Sequence, residues 1–554
     1  MIGSIIDSLV LKLKPDFPGS LRENFQFPGK FGDLSCNIAF AASKASGKSP
    51  AEIAEGIASK SSGDLPEFVE RVESKGGYVN FFLDYSKLFE SVVAPEKRAA
   101  SGEKVLVEFS NPNPCKAMHI GNSRTTLLGD SICEILSACG KTAIRANYYN
   151  DLGKQFAKVL FAVQKYGFKE GGKPDHELAR LYVELHKDLK EHPEWEGEIQ
   201  VLLNRLEGKD PALETDRKFV LEKATRGFEE TYRNLGVKFD TYFYESDFRE
   251  KGKGMARDLE KKGLAFVSDE RTLVANLEKS GLPNTVLIRS DGTGLYITSD
   301  LALTVHRFES LGLDECVWVV GSEQNLHFQQ LFKLLELLGY GFADKCRHMS
   351  YGLITLQGSK MSSRSGEFIL LDEVVDEVIE KAGEEVRKRH PLLEGEKLDE
   401  LSRKIGIGAL KYDLLKVDRN RGVDFNPAKA VQFEGNTGPY IQYMAVRCGS
   451  ILAKKSPSPA FANERQYVLG EYEKALLRKL MEFSGVCQRA ASELKPNLIC
   501  NYAFELATTF SQFYENCKVI GSAEEGYRIK LVEKTKAMLE ECLKLLRIEA
   551  PEMM

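Results

Sequence analysis

The chain has 554 residues, 43% of them hydrophobic, with 76 Lys+Arg against 81 Asp+Glu and a net charge of −5. That length suggests about three or four domains, and the ordinary globular composition excludes a collagen, a disulfide scaffold or long disorder. No apolar run approaches the roughly 18 residues of a membrane span, and the near-neutral charge gives no hint of a nucleic-acid partner. Eleven scattered cysteines with no C-x-x-C pair read as reduced thiols of a cytosolic protein.

In chain order, the first ~95 residues form one unit. Residues 32–60 read as helical, with Ser49 capping a helix that has Pro50 in its first turn. GGYVNFFLDYSKLF (76–89) reads as a strand entered through two glycines, and 91–103 as a polar linker. Residues 104–109 (KVLVEF) open a strand–loop–helix pattern, with Leu128, Ile132, Ile135 and Leu136 as the apolar stripe of the helix. Residues 165–215 are charged and helical in tendency, as in an insertion with one solvated face. Strand-like runs at 284–289 and 316–320, alternating with helices, indicate a parallel α/β sheet. Beyond about 400 the pattern is almost wholly helical. Ala503, Leu506, Ala507, Phe510, Phe513, Tyr514 and Cys517 make one core stripe; Met538, Leu539, Cys542 and Leu546 make another.

Two stretches carry chemistry. NPNPCKAMHIGN (111–122) lies between strand and helix, where helix N–H groups and the helix dipole attract phosphate and Gly121 admits a close backbone approach. Lys116 and His119 add donors there. SKMSSRSGE (359–367) joins a lysine, hydroxyls and an arginine on one segment, suited to clamping a transferring phosphoryl group. Alone, the first also reads as a loop histidine beside a turn glycine, and the second as a solvated basic loop. His176, His186, His192 and His390 sit in charged stretches and read as solvated, while His327 and His348 flank the expected site.

Together HIGN (119–122) and KMSSR (360–364) resemble the two signature sequences, HIGH and KMSKS, of class I aminoacyl-tRNA synthetases. NYYNDLGKQF (147–156), GLYITSDLA (294–302), SEQNLHF (322–328) and FEGNTGPYIQYMAVR (433–447) resemble arginyl-tRNA synthetases in particular. The resemblance covers essentially the whole chain. It implies an α/β fold with three parts. These are a small N-terminal α+β domain (1–95) for the tRNA elbow, a Rossmann-type parallel-sheet catalytic domain (96–430) and an all-helical anticodon-binding domain (431–554). The catalytic part would carry an insertion at about 160–283 and the second signature loop at 359–366.

The implied chemistry is two-step: arginine and ATP give arginyl-adenylate, and the arginyl group then passes to the 3′ end of tRNA(Arg). Lys116, His119, Asn122 and Lys360 would be catalytic; ATP would be held by His119, Gly121, Asn122, Lys360, Met361, Ser362 and Ser363. Mg²⁺ would accompany the nucleotide. The resemblance carries arginine binding onto Glu108, Asn113, Glu245, Tyr296, Asp300 and Gln324, and tRNA binding onto Tyr78, Asn80, Tyr440 and Tyr443. By placement, residues 349–352 would lead backbone toward the adenine, and the expected state is a cytoplasmic monomer with no membrane association. The chain departs from the signatures at Asn122, in place of the second histidine, and at Ser363-Arg364, in place of lysine-serine. Arginine is best held by carboxylates that accept its forked N–H groups, with a tyrosine hydroxyl beside them.

Overall fold

The computed structural model describes residues 2–13, 21–27, 29–93, 101–356, 369–455 and 468–554. The chain divides into two compact units, each discontinuous in sequence.

The first unit joins Met1–Lys97 to Tyr443–Arg489 and Asn501–Glu541. Its N-terminal part runs α1 (Ile2–Leu13), β1 (Phe25–Gln26), β2 (Leu34–Cys36), α2 (Ile38–Ser46), α3 (Pro50–Ser61), β3 (Val69–Lys75), β4 (Tyr78–Leu83) and α4 (Tyr85–Val93). The strands form an antiparallel sheet in the order β1-β2-β4-β3. Residues 32–60 are therefore not helical throughout. Leu34, Ser35 and Cys36 pair with Phe81, Asn80 and Val79 and are fully buried, so sheet pairing overrides their local helical pattern. Ser49 caps α3 as expected and closes a capping box with Glu52. The strand read into 76–89 ends at Leu83: the Asp84 carboxylate accepts from the backbone of Ser86 and Lys87 and starts a helix instead.

The helices Glu471–Glu493, Asn497–Asn516 and Glu525–Leu545 follow the stripes read from the sequence. Ala503, Leu506, Ala507, Phe510 and Phe513 are completely buried, and Tyr514 marks the stripe's exposed edge. Within this unit Phe89 packs on Tyr527 at 5.6 Å between ring centroids, and Arg478 pairs with Asp33 at 3.1 Å.

The second unit carries the larger sheet. In chain order come β5 (Lys104–Glu108), α5 (Ile120–Ala138), β6 (Thr142–Tyr149), α6 (Lys154–Tyr166), α7 (Pro174–Asp188), α8 (Trp195–Glu207), α9 (Glu214–Leu235), β7 (Thr241–Tyr244) and α10 (Glu245–Lys261). Then follow β8 (Ala265–Val267), β9 (Leu273–Ala275), β10 (Thr285–Ile288), α11 (Tyr296–Leu311), β11 (Glu315–Gly321), α12 (Asn325–Leu338) and β12 (Cys346–Tyr351). Five strands pair in the order β12-β11-β5-β6-β7, all parallel. The direction of winding reverses between β5 and β11, which opens a crevice at the carboxyl ends of those strands.

The run at 284–289 is a strand, but not of this sheet. It forms an antiparallel sheet with β8 and β9, because short connections join antiparallel neighbours and a parallel pair needs a crossover. The largely helical region after 400 also holds a short strand, Val423–Phe425, paired in parallel with Ile354–Leu356.

The α5 helix buries the expected stripe but is enclosed on other faces too. Arg124 and Asp130 are fully buried. Asp130 receives Arg145 and Arg547. The Arg124 guanidinium donates to the carbonyls of Gly352, Asp418, Arg419 and Arg421, fastening the chain before residue 354 to the helix that follows the first signature. Burial lowers Arg124 to about 10.

Candidate active site

The site begins at a strained corner. Ser110 and Asn111, just past β5, both lie in the left-handed region, with φ 74° and 46°. Side chains hold them there. The Asn111 amide donates to Glu108 at 2.8 Å and its oxygen accepts from the Tyr148 backbone at 3.1 Å. Asn147 accepts from the Asn111 backbone at 3.2 Å, and Ser110 Oγ lies 2.7 Å from the Tyr232 hydroxyl. The corner aims the next residues across the crevice.

His119 is the N-cap of α5. Its Nδ1 accepts from the Gly121 backbone at 3.1 Å, and Asn122 Oδ1 accepts from the His119 backbone at 3.1 Å, so the two signature residues close a reciprocal cap. Burial, with Lys116 nearby, lowers His119 to about 4. The ring is neutral at physiological pH, and with Nδ1 accepting, its proton sits on Nε2. Asn122 keeps its NH₂ as a donor.

Backbone bonds from Ile120 to Ile369 (3.2 Å) and from Leu371 to Met118 (2.9 Å) tie this loop to the chain after the second signature. Lys360, Met361, Ser362, Ser363 and Arg364 themselves lie outside the described residues.

The residues expected around arginine divide into two groups. Asn113 and Tyr296 line one cavity of about 370 Å³, together with Arg249. Tyr296 and Asp300 lie four residues apart on α11, Tyr296 exposed at the start of the helix and Asp300 half-buried beside His327. Glu245 opens α10. Gly252 lets α10 and α11 approach closely: a Cβ there would lie 2.2 Å from the Thr298 carbonyl oxygen. Glu245 is fully buried. Oε1 accepts from Arg249 at 2.7 Å, and Oε2 has no partner among the described residues. Burial raises Glu245 to about 7; Arg249 opposes the rise, while Asp300 and Asp151 add to it. Asp300 accepts from His327 at 2.7 Å. Burial acts most strongly and would lower His327, but the bond to Asp300 and the charge of that carboxylate together outweigh it, and the net shift is upward.

Gln324 is exposed in the turn after β11. Glu108 takes a different part from the one expected. It is buried, and each oxygen already accepts one hydrogen bond, from Asn111 and from Arg307, so it braces the corner whatever else it binds.

In the first unit Tyr78 stands in an aromatic group with Phe40 and Phe31, at 5.1 and 5.8 Å between centroids. Lys30 lies 5.0 Å from its ring. Phe31 and Phe40 are exposed. Asn80 is not at that surface: it is 1% exposed and accepts from Ser35 at 2.6 Å, because its strand position points beneath the loop before β2. Tyr440 and Tyr443 lie three residues apart on the helix Gly438–Leu452, both partly exposed, with Arg447 donating to the Tyr443 hydroxyl.

Two histidines read as solvated are not. His176 bonds Asp372 at 2.9 Å, and His390 turns Nε2 inward. His186 and His192 are exposed, and His348 bonds the Val320 carbonyl. Sequence reasoning missed Arg124, Tyr148, Glu207, Arg249 and Arg307. Only the four-residue spacing of Glu245 and Arg249 left a trace of any of these.

Residues 86–426 match the family described as tRNA synthetases class I (R), catalytic domain. Residues 441–554 match the DALR anticodon binding domain, and 25–83 the arginyl tRNA synthetase N terminal domain. With the reversed parallel sheet and the capped H-x-G-N helix, this is the architecture of a class I aminoacyl-tRNA synthetase. Over its full length the chain is 34% identical to an arginine–tRNA ligase of Streptococcus pneumoniae serotype 19F (strain G54), covering 98% of that protein. The Thermus thermophilus arginyl-tRNA synthetase structure superposes with a TM-score of 0.86 at 28% identity, covering 100% of this chain and 99% of that one. The Plasmodium falciparum arginyl-tRNA synthetase does so at 0.81 and 24% identity, covering 100% and 98%, which speaks for the fold alone. The chain belongs to the arginyl-tRNA synthetase family.

Proposed function

We propose that this chain activates L-arginine with ATP and transfers it to the 3′ end of tRNA(Arg). A carboxylate oxygen of arginine attacks the α-phosphorus of ATP, the bond to the β-phosphate oxygen breaks, and pyrophosphate leaves. The terminal adenosine hydroxyl of tRNA then attacks the acyl carbon, and AMP leaves with the bonding pair. No protein nucleophile takes part, so catalysis rests on positioning and charge. Neutral His119 donates from Nε2, Asn122 from its amide and Gly121 from its backbone, while Lys116 and Lys360 supply positive charge to the phosphates. Met361, Ser362 and Ser363 complete the nucleotide contacts, residues 349–352 run beside the adenine, and Mg²⁺ enters bound to the ATP as part of the substrate.

The observation that carries the assignment is Glu245: a buried carboxylate with one oxygen unpartnered, close enough to Asp300 to feel its charge. A buried acceptor in that condition suits a guanidinium N–H. Asp300 and Tyr296 would take the remaining N–H groups, and Asn113 and Gln324 the α-amino and carboxylate end. On the tRNA, Tyr78 would stack an unpaired elbow base with Phe31, Phe40 and Lys30 around it, and Tyr440 and Tyr443 would lie near the anticodon. The three-part division at about 95 and 430 belongs to the same reading, as do a monomeric state and a cytoplasmic location. No helix of the described residues is long and apolar enough to cross a membrane.

The test is ATP–pyrophosphate exchange with each of the twenty amino acids, with and without tRNA. Arginine alone should support exchange; exchange driven by another amino acid overturns the assignment.

A further inference from the structure

Arg249 lies one turn beyond Glu245 on α10 and is 6% exposed. Its guanidinium reaches two carboxylates at once. Nη2 donates to Glu245 Oε1 at 2.7 Å, and Nη1 donates to Glu207 Oε1 at 2.7 Å. Glu207 is the last residue of α8, within the helices that connect β6 to β7. Arg249 also lines the cavity that holds Asn113 and Tyr296. An internal guanidinium thus occupies one oxygen of the carboxylate whose other oxygen is unpartnered.

We propose that Arg249 is a positioning residue for arginine recognition: it fixes Glu245 with Oε2 turned to the substrate and favours its ionised form, and Glu207 fixes Arg249 from the connecting helices. The proposal rests on the arginine reading of the site and extends it to a residue that does not itself hold the substrate. A carboxylate bonded through one oxygen to a fixed guanidinium cannot rotate freely, so its second oxygen keeps one direction. The groups that face Glu245 explain why a cation is needed there. Asp300 from α11 and Asp151 from the loop after β6 both oppose its ionisation, and Tyr148 of β6 lies in the same acidic field. Asp151 is already engaged by Arg217 and Ser246. Arg249 opposes the rise that burial gives Glu245, so without it Glu245 would hold its proton to still higher pH and be weaker as an acceptor at neutral pH.

The decisive experiment is pyrophosphate exchange on the full chain with tRNA present, following kcat/KM for arginine and for ATP across pH, for Arg249→Met, Arg249→Lys and Glu207→Gln. Wild-type exchange is measured first: if arginine supports none, the arginine assignment fails and this proposal falls with it. Given wild-type activity, Arg249→Met should raise KM for arginine about tenfold or more with KM for ATP nearly unchanged. Its acid limb for arginine should move to higher pH. Arg249→Lys should return the limb toward wild type, and Glu207→Gln should show a smaller rise. An unchanged KM for arginine with an unmoved limb overturns the proposal. So does a parallel loss for arginine and ATP with lowered Tm and no shift of the limb, which would mark Arg249 as a purely structural residue.

Discussion

The two ends of the crevice are built on opposite plans. At the signature end, His119 and Asn122 satisfy each other and the first turn of α5, and backbone bonds seal the loop against residues 369–371. At the guanidinium end, Glu245 Oε2 and the Tyr148 hydroxyl are buried without partners among the described residues. The phosphate end is a finished piece of secondary structure that offers donors outward. The end around Glu245 leaves buried polar atoms unmet, as the proposed arginine site requires. The teaching is that a charge-spreading reaction needs a rigid frame, whereas selectivity needs unmet valence that only the right ligand fulfils.

The contrast can be broken from either side. His119→Ala should have the largest effect, an exchange rate lower by roughly 10²–10³-fold. Arginine affinity, measured by calorimetry, should be retained; a variant that lost arginine binding as well would erase the distinction between the ends. Glu245→Gln should raise KM for arginine by about 10–100-fold and leave KM for ATP in place, as expected for a charge-assisted bond made neutral.

The pH response sharpens the comparison further. His119 has a folded pKa of about 4 against an ordinary value of 6.5, so the native state favours the neutral ring. Its contribution to stability is full above about 6.5 and fades as pH falls toward 4. His119→Gln should therefore flatten the decline of Tm over that window, in thermal scans against pH. The smallest effect is expected at Asn122→Ala. Losing the reciprocal cap costs about 1 kcal/mol, a Tm lower by a few degrees at most.

Local signals were readable in the sequence, and remote ones were not. The strand, loop and helix of the first signature stand together in the chain, and the resemblance of HIGN and KMSSR to known signatures carried the rest of the catalytic part. The stripe from Ala503 to Phe513 was legible because helical burial repeats at fixed spacing. By contrast, residues 34–36 sit inside a helical pattern and become a strand only through pairing with β4. The strand at 285–288 was legible as a strand but not its sheet, because partners are chosen by connection length and packing. At the site, nothing local to Glu108 announced its partner Arg307, 199 positions along the chain. Asn80 looked like a reading residue until its burial against Ser35 was visible. Among the described residues Arg124 donates to four backbone carbonyls, which no side-chain pattern can announce.

The discontinuity of the first unit has a consequence for the order of events during synthesis. Its opening residues leave the ribosome first, yet Phe89 completes its packing on Tyr527, and Asp33 meets Arg478. These two contacts of the amino-terminal part can therefore form only after the intervening catalytic sheet has been made. A nascent chain halted before residue 443 would lack the carboxyl-terminal segments of both units, and its first-made part would still await Tyr527 and Arg478.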